Sequence, residues 1–144
     1  MHRLLTPTPA SVDLALFILR VVTGIIMFMH GYQKVFQYGF AGVTQGFEGM
    51  GVPMPGIMGP FIALLELIGG IALVIGLLTP LFAALLAADM VGAIVQVHLS
   101  KGFFLPEGYE FALALLGACL ALALAGAGRY SVDGSLGGRR PRRI

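Results

Sequence analysis

Apolar positions in this chain run almost unbroken for one helix length at a time, and polar residues gather in the gaps between. Four such runs are present, at roughly residues 12–36, 57–78, 81–99 and 109–127. A bilayer core about 30 Å thick needs about 20 mostly apolar residues of helix to cross it. Lipid offers no partner to backbone N–H and C=O groups, so each run is predicted as a helix. The predicted fold class is therefore an all-α integral membrane protein, a bundle of four transmembrane helices. Thr79-Pro80 has the form of an N-cap and first helical residue for the third span, leaving only a tight turn after the second. Ser11 and Asp13 are candidate caps for the first. The longest break, residues 37–56, holds six glycines (39, 42, 46, 49, 51 and 56) with Pro53 and Pro55. It is predicted as an ordered or re-entrant cap over the mouth of the bundle, with a plain flexible linker as the alternative.

Composition strengthens this picture. Of 144 residues, 58% are hydrophobic and 11% charged, whereas a soluble domain carries about a quarter charged residues. So much apolar surface excludes a wettable soluble fold and a disordered chain alike. One cysteine excludes an internal disulfide framework, and no Cys or His cluster has zinc spacing. The formal charge of +2 includes +4 from Arg139, Arg140, Arg142 and Arg143, so the remainder sums to −2. A basic surface spread over a fold, as nucleic acid would require, is absent. Two units follow: a transmembrane domain over residues 1–133, and a basic, disordered tail over residues 134–144 that could touch anionic lipid. The first run lacks a small-residue cleavage site and is interrupted by Arg20, so it is read as retained rather than as a signal peptide. Arg3, Arg129 and the tail arginines lie on one side, against Lys34 and Lys101 on the other. That bias places both termini in the cytoplasm of a bacterial plasma membrane.

Ionisable residues inside a bilayer are costly and are functional candidates by default. At 1.5 Å rise per residue, Arg20 lies at a depth of about 10 Å, Asp89 at about 13 Å and Glu66 at about 18 Å. On the same scale His30 and His98 lie at about 25–27 Å, and Lys34, Lys101 and Glu110 near the outer edge at about 30 Å. Gln96 falls near the histidines. On a straight helix Arg20, Gly24, Met27, Gly31 and Lys34 share one face, as do Gly59, Glu66, Gly70 and Leu73. His98 falls opposite Asp89, so His98 is assigned to the outer pocket and Asp89 to another helix or a second copy, which suggests a homo-oligomer. Arg20 and Glu66 admit two readings: a buried ion pair that fixes helix register, or a carboxylate that exchanges protons or binds a polar head group. His30 and His98 either hydrogen-bond backbone or interfacial water, or hold a quinone carbonyl, relay protons or ligate a metal or haem. Two histidines without nearby Cys or carboxylates are a thin metal signal, so no metal site is assigned. Lys34 and Lys101 most simply snorkel to the interface, and Glu110 could face Lys34 or His30. The methionines read as core filling rather than copper ligands.

Spans one and three share a pattern: Gly24, His30, Lys34 and Phe36 against Gly92, His98, Lys101 and Phe103. Each following helix carries a glutamate before an apolar run, Glu66 and Glu110. A tandem duplication of a helical hairpin would produce this, and so would chance similarity between low-complexity apolar helices.

These residues resemble the DoxX family. The resemblance rests on Leu19-Arg20, Gly24 and His30-Gly31-Tyr32-Gln33-Lys34-Val35-Phe36. It continues through Gly51-Val52-Pro53-Met54-Pro55, Glu66-Leu-Ile-Gly-Gly70 and Gly76-Leu-Leu-Thr-Pro80. The most specific stretch is His98-Leu-Ser-Lys101-Gly102-Phe103-Phe104 with Gly108-Tyr109-Glu110, and Gly128-Arg129-Tyr130-Ser131-Val132-Asp133 closes it. It implies a small four-helix bacterial inner-membrane protein with redox partners and a connection to quinones, and carries over no catalytic set.

Three functions are weighed. The first is a membrane subunit associated with redox chemistry, an oxidoreductase subunit without a self-evident cofactor. It would bind a quinone or similar lipophilic group, with His30 and His98 at the head group. Arg20, Lys34, Glu66, Gln96 and Glu110 would serve binding or proton relay. Haem or metal is the lesser cofactor choice. With no flavin, iron–sulfur or covalent-haem motif in the sequence, electrons would come through a partner protein or a non-covalent cofactor. The second is a proton or small-solute transporter or channel; the third is a scaffold for a membrane complex.

Overall fold

The computed structural model describes residues 6–137. Among them every regular element is helical, with no strand. Helix α1 (Pro9–Tyr32) runs into a π-helical segment (Gln33–Tyr38) and then α2 (Gly39–Gly49). Helices α3 (Pro55–Ile75) and α4 (Thr79–Ala93) follow, and α4 also ends in a π-helical segment (Ile94–His98) with a 3₁₀ turn at Leu99–Lys101. Helix α5 (Glu110–Ala125) and the short α6 (Val132–Leu136) complete the fold. The helix beginning at Pro9, α3, and α4 with its extension are long and apolar enough to cross a membrane; α5 is apolar but has 16 residues. The four apolar runs thus coincide with helices α1, α3, α4 and α5, three of which have the length of a span. Helix α6 continues three residues into the stretch read as tail, and Arg3 and the four tail arginines lie outside the described residues.

Helix α1 packs along α3, α4 along α5, and α3 joins the two pairs. Small residues set the first contact. A Cβ on Gly24 would lie 2.8 Å from the Gly70 carbonyl oxygen, and one on Gly31 would collide with the Leu67 backbone. The face predicted for α1 is the one that is buried, with Arg20, Gly24, Met27 and Gly31 all turned inward. Gly59, Glu66, Gly70 and Leu73 are likewise buried on α3. Leu73, Leu86, Cys119 and Leu122 are fully buried at the centre. Large apolar side chains such as Ile18, Val22, Ile68, Ile71, Leu81 and Leu120 are exposed around the outside, the exterior a lipid-facing bundle requires.

The pairing of α1 with α3 and α4 with α5 is what two successive hairpins give, and each hairpin's first helix ends in a π segment. The likeness is incomplete, because Gly24 is pressed against α3 while a Cβ on Gly92 would meet open space.

The 37–56 stretch is ordered. Gly39, at φ 70°, turns the chain out of the α1 direction, a backbone conformation costly to residues with a Cβ. Helix α2 then lies against α3.

The cap assignments need correction. Thr8, not Ser11 or Asp13, caps α1, its Oγ1 accepting from the Ser11 amide at 3.2 Å. Asp13 instead accepts from the Arg129 amide. Thr79 does not cap α4. Asp133 does so from the far end of the chain, its two carboxylate oxygens accepting from the Leu78 and Thr79 amides at 2.8 Å each. A carboxylate there meets both free N–H groups and the positive end of the helix dipole.

Candidate functional site

The seven residues singled out from the sequence divide into two groups, and Arg20 belongs to neither cavity described below. It is 1% exposed, and its guanidinium donates to the carbonyls of Leu73 and Val74 at 2.7 and 2.6 Å and of Tyr130 at 2.6 Å. The first two belong to the last turn of α3, where carbonyls run short of helical partners and a cation also suits the dipole. The expected Arg20–Glu66 ion pair is therefore not formed. Arg20 and Asp133 together close the α3–α4 corner, with the Asp133 amide donating to the Gly76 carbonyl.

Glu66 is paired with Lys34. Their charged atoms are 2.5 Å apart, with Glu66 almost fully buried. The close approach of α1 and α3 at Gly31 makes this possible: Lys34, one turn further on, reaches the carboxylate instead of snorkelling to the interface. The snorkelling expectation is thus overturned by helix proximity, since a lysine beside a buried carboxylate gains more by pairing than by hydration.

This pair stands between two cavities. The larger, about 590 Å³, lies among α3, α4 and the segment after α2. Its walls include Phe47, Met50, Met54, Met58 and Phe61, and its polar end is formed by Lys34, Glu66, Asp89, Gln96 and His98. The smaller, about 300 Å³, is lined by Met27, His30, Met90, Pro106 and Phe111 together with Lys34, Glu66 and His98. Lys34, Glu66, Ala93 and His98 face both. Volumes of this size with mostly apolar walls and a few converging polar groups are those of small-molecule sites. Alanine and glycine on α4 (Ala88, Gly92 and Ala93) leave the space that larger side chains would fill. Five methionines line one cavity or the other: Met27 and Met90 are buried in the core, as expected, while Met50, Met54 and Met58 form a pliable wall of the larger cavity.

His98 and His30 do meet at one cavity, the smaller. His98 Nδ1 lies 2.8 Å from the Glu107 carbonyl oxygen. A carbonyl only accepts, so Nδ1 carries the hydrogen, and the neutral ring presents Nε2 as an acceptor. His30 sits exposed at the rim, its ring 6.4 Å from that of Phe111. Gln96 lines the larger cavity from an exposed position. Glu110 faces neither Lys34 nor His30. Its Oε1 accepts from the Leu105 amide at 2.8 Å and so pins the loop before α5. Among the described residues no group of three or more His, Cys, Asp or Glu is arranged to hold a metal ion.

Of the two expectations for Asp89, another helix or a second copy, the structure supports the first: Asp89 lines the larger cavity facing Glu66 of α3, and His98, expected on the opposite side, lines it too. The straight-helix geometry put Asp89 opposite His98. The π segment from Ile94 adds a residue to the turn and slips the phase, swinging His98 towards the Asp89 side. With Asp89 turned inward, the sequence argument for a second copy loses its footing. The signal that could have found this site is the Gly92–Ala93 pair followed by a polar Gln-x-His, a place where the helix has room to widen.

A family model for DoxX matches residues 15–99. "Putative oxidoreductase CatD" of Bacillus subtilis (strain 168) is 39% identical over 123 residues, covering 85% of this chain and 87% of that protein. "Inner membrane protein YqjF" of Escherichia coli (strain K12) is 34% identical over 127 residues, 84% of this chain and 91% of that protein. A Mycobacterium tuberculosis (strain ATCC 25618 / H37Rv) membrane protein, Rv3486, is 31% identical over 132 residues, 84% of this chain and 80% of that protein. No solved structure matches the chain at a significant level.

Proposed function

The chain belongs to the DoxX family of membrane proteins, and from that premise we propose that it is a redox-associated membrane subunit holding a quinone or similar lipophilic redox group in the larger cavity. The observation that carries the reading is the cavity's polarity: aromatic and methionine walls ending in Lys34, Glu66, Gln96 and His98. The apolar part suits a ring and tail. Lys34 can donate to a carbonyl oxygen, and His98 Nε2 can accept from a hydroxyl. The name of the Bacillus subtilis relative points the same way. Electrons reach such a group from a partner protein or a second cofactor. Mass spectrometry and optical spectroscopy of the detergent-purified protein test the idea. A co-purifying quinone, or saturable binding of a short-chain quinone weakened by His98→Ala, is expected. Neither a bound small molecule nor saturable binding would overturn it.

One observation favours a second reading. The two cavities meet at Lys34, Glu66 and His98, which is also the arrangement of a proton or small-solute path. That reading predicts a pH-dependent flux in liposomes, abolished by Glu66→Gln.

We further place the protein in the bacterial plasma membrane with both termini cytoplasmic, from the arginine bias and the printed name of the Escherichia coli relative. An alkaline phosphatase fusion should be active in the loop at Gly102 and inactive after Gly137; the reverse pattern would invert the topology.

A further inference from the structure

We propose that Asp89 and Glu66 share a single proton, so that the polar end of the larger cavity is a neutral triad of acid, carboxylate and ammonium. Asp89 lines that cavity beside Glu66, with the two carboxyl groups near enough for a proton on one to reach the other. Its Oδ2 is buried and receives no hydrogen bond from any N–H or O–H of the protein. The ammonium of Lys34 is bonded to Glu66 Oε2. Two ionised carboxylates cannot sit at hydrogen-bond distance with one cation between them without a large repulsion. One proton between them removes it and supplies a hydrogen bond for the Asp89 carboxyl, which has none from Lys34. The other polar or titratable groups near Asp89 are Gln96 and His98 from the extension of α4 and the thiol of Cys119 from α5; none of them is hydrogen-bonded to Asp89. His30 lies beyond, on the smaller cavity.

A neutral triad has a consequence for the ligand, which rests on the functional reading above. It accepts an uncharged head group that can give or take a hydrogen bond, a quinone carbonyl or a phenolic hydroxyl, and repels a phosphate or carboxylate no less than it attracts one.

Infrared difference spectroscopy on the full chain in lipid, without added ligand, tests the shared proton directly. A carbonyl stretch of a protonated carboxyl is expected, shifting in heavy water and on labelling with ¹³C-aspartate or ¹³C-glutamate. It should vanish in Asp89→Asn, whose amide can still donate to Glu66, and persist in Glu110→Gln. Isotope labelling of the wild type keeps the test open if the Asn variant folds poorly. Absence of the stretch, or a stretch insensitive to both labels, would overturn the triad. Short-chain quinone binding measured on the same samples separates the two ideas: binding without the stretch sinks the triad alone, and the stretch without binding sinks the quinone reading alone.

Discussion

Replacing Arg20 by Met would take the guanidinium from three backbone carbonyls; that of Leu73 would keep the Gly76 amide, while those of Val74 and Tyr130 would lose their donor. Buried acceptors left without donors cost about 1–3 kcal/mol each where water cannot reach them, so a loss of roughly 3 kcal/mol or more is expected. It should appear as a fall in melting temperature, with quinone affinity of the folded fraction unchanged because Arg20 lies outside both cavities. Lys34 is the opposite case. Lys34→Met leaves Glu66 charged and unpaired beside Asp89, and breaking a buried pair from one side costs about 3–5 kcal/mol. The double variant Lys34→Met/Glu66→Gln should recover most of that stability and none of the binding. Melting curves of the three variants check the sign. These two cations show where sequence reasoning at this scale succeeds and where it stops. The burial of Arg20 was legible, since an arginine inside an apolar run has few places to go; that of Lys34 was not, because at the end of its run it had the interface within reach. Their partners were not: Arg20 answers to main-chain carbonyls, which leave no mark in the sequence.

The helices themselves were legible because run length against bilayer thickness is a strong constraint, and the structure returns all four within a few residues. What the runs did not show is that two of them end as π helices. The phase error this introduces put His98 opposite Asp89, and that opposition was the footing for a second copy. The same geometry makes an element-scale prediction. Deleting Val95 should let the Ile94–His98 segment rewind as an α-helix and still leave His98 on the Asp89 side, because eight α-helical steps of about 100° bring it within about 80° of Asp89. The bundle, the His98–Glu107 bond and short-chain quinone binding should all survive the deletion, whereas an alanine inserted in the same α-helical background, which restores nine steps, should turn His98 out and abolish binding. On the α1–α3 contact, Gly31→Val should force the helices apart. A lowered melting temperature and weakened binding are expected together, since Lys34 would no longer reach Glu66.

For the molecule as a whole, stability and site have separate homes. One end of the bundle is fastened by Arg20, Asp13 and Asp133; the other holds the cavities and the Lys34–Glu66 pair. The small residues of α4 look in sequence like a packing stripe, yet Ala88 and Gly92 are exposed and border empty space. The molecule therefore carries its cavity where a tighter bundle would carry side chains. Filling it is the whole-molecule test: Gly92→Leu should raise the melting temperature or leave it unchanged while abolishing ligand binding.

The fastening also imposes an order of events. Asp133 leaves the ribosome after every long helix of the bundle, yet among the described residues its carboxylate is what accepts from the Leu78 and Thr79 amides at the α3–α4 corner. Insertion must come first and latching last. A nascent polypeptide halted at residue 127 would own all its rods without the bolt. Its Leu78 and Thr79 amides should then exchange with deuterium far faster than those of the finished protein.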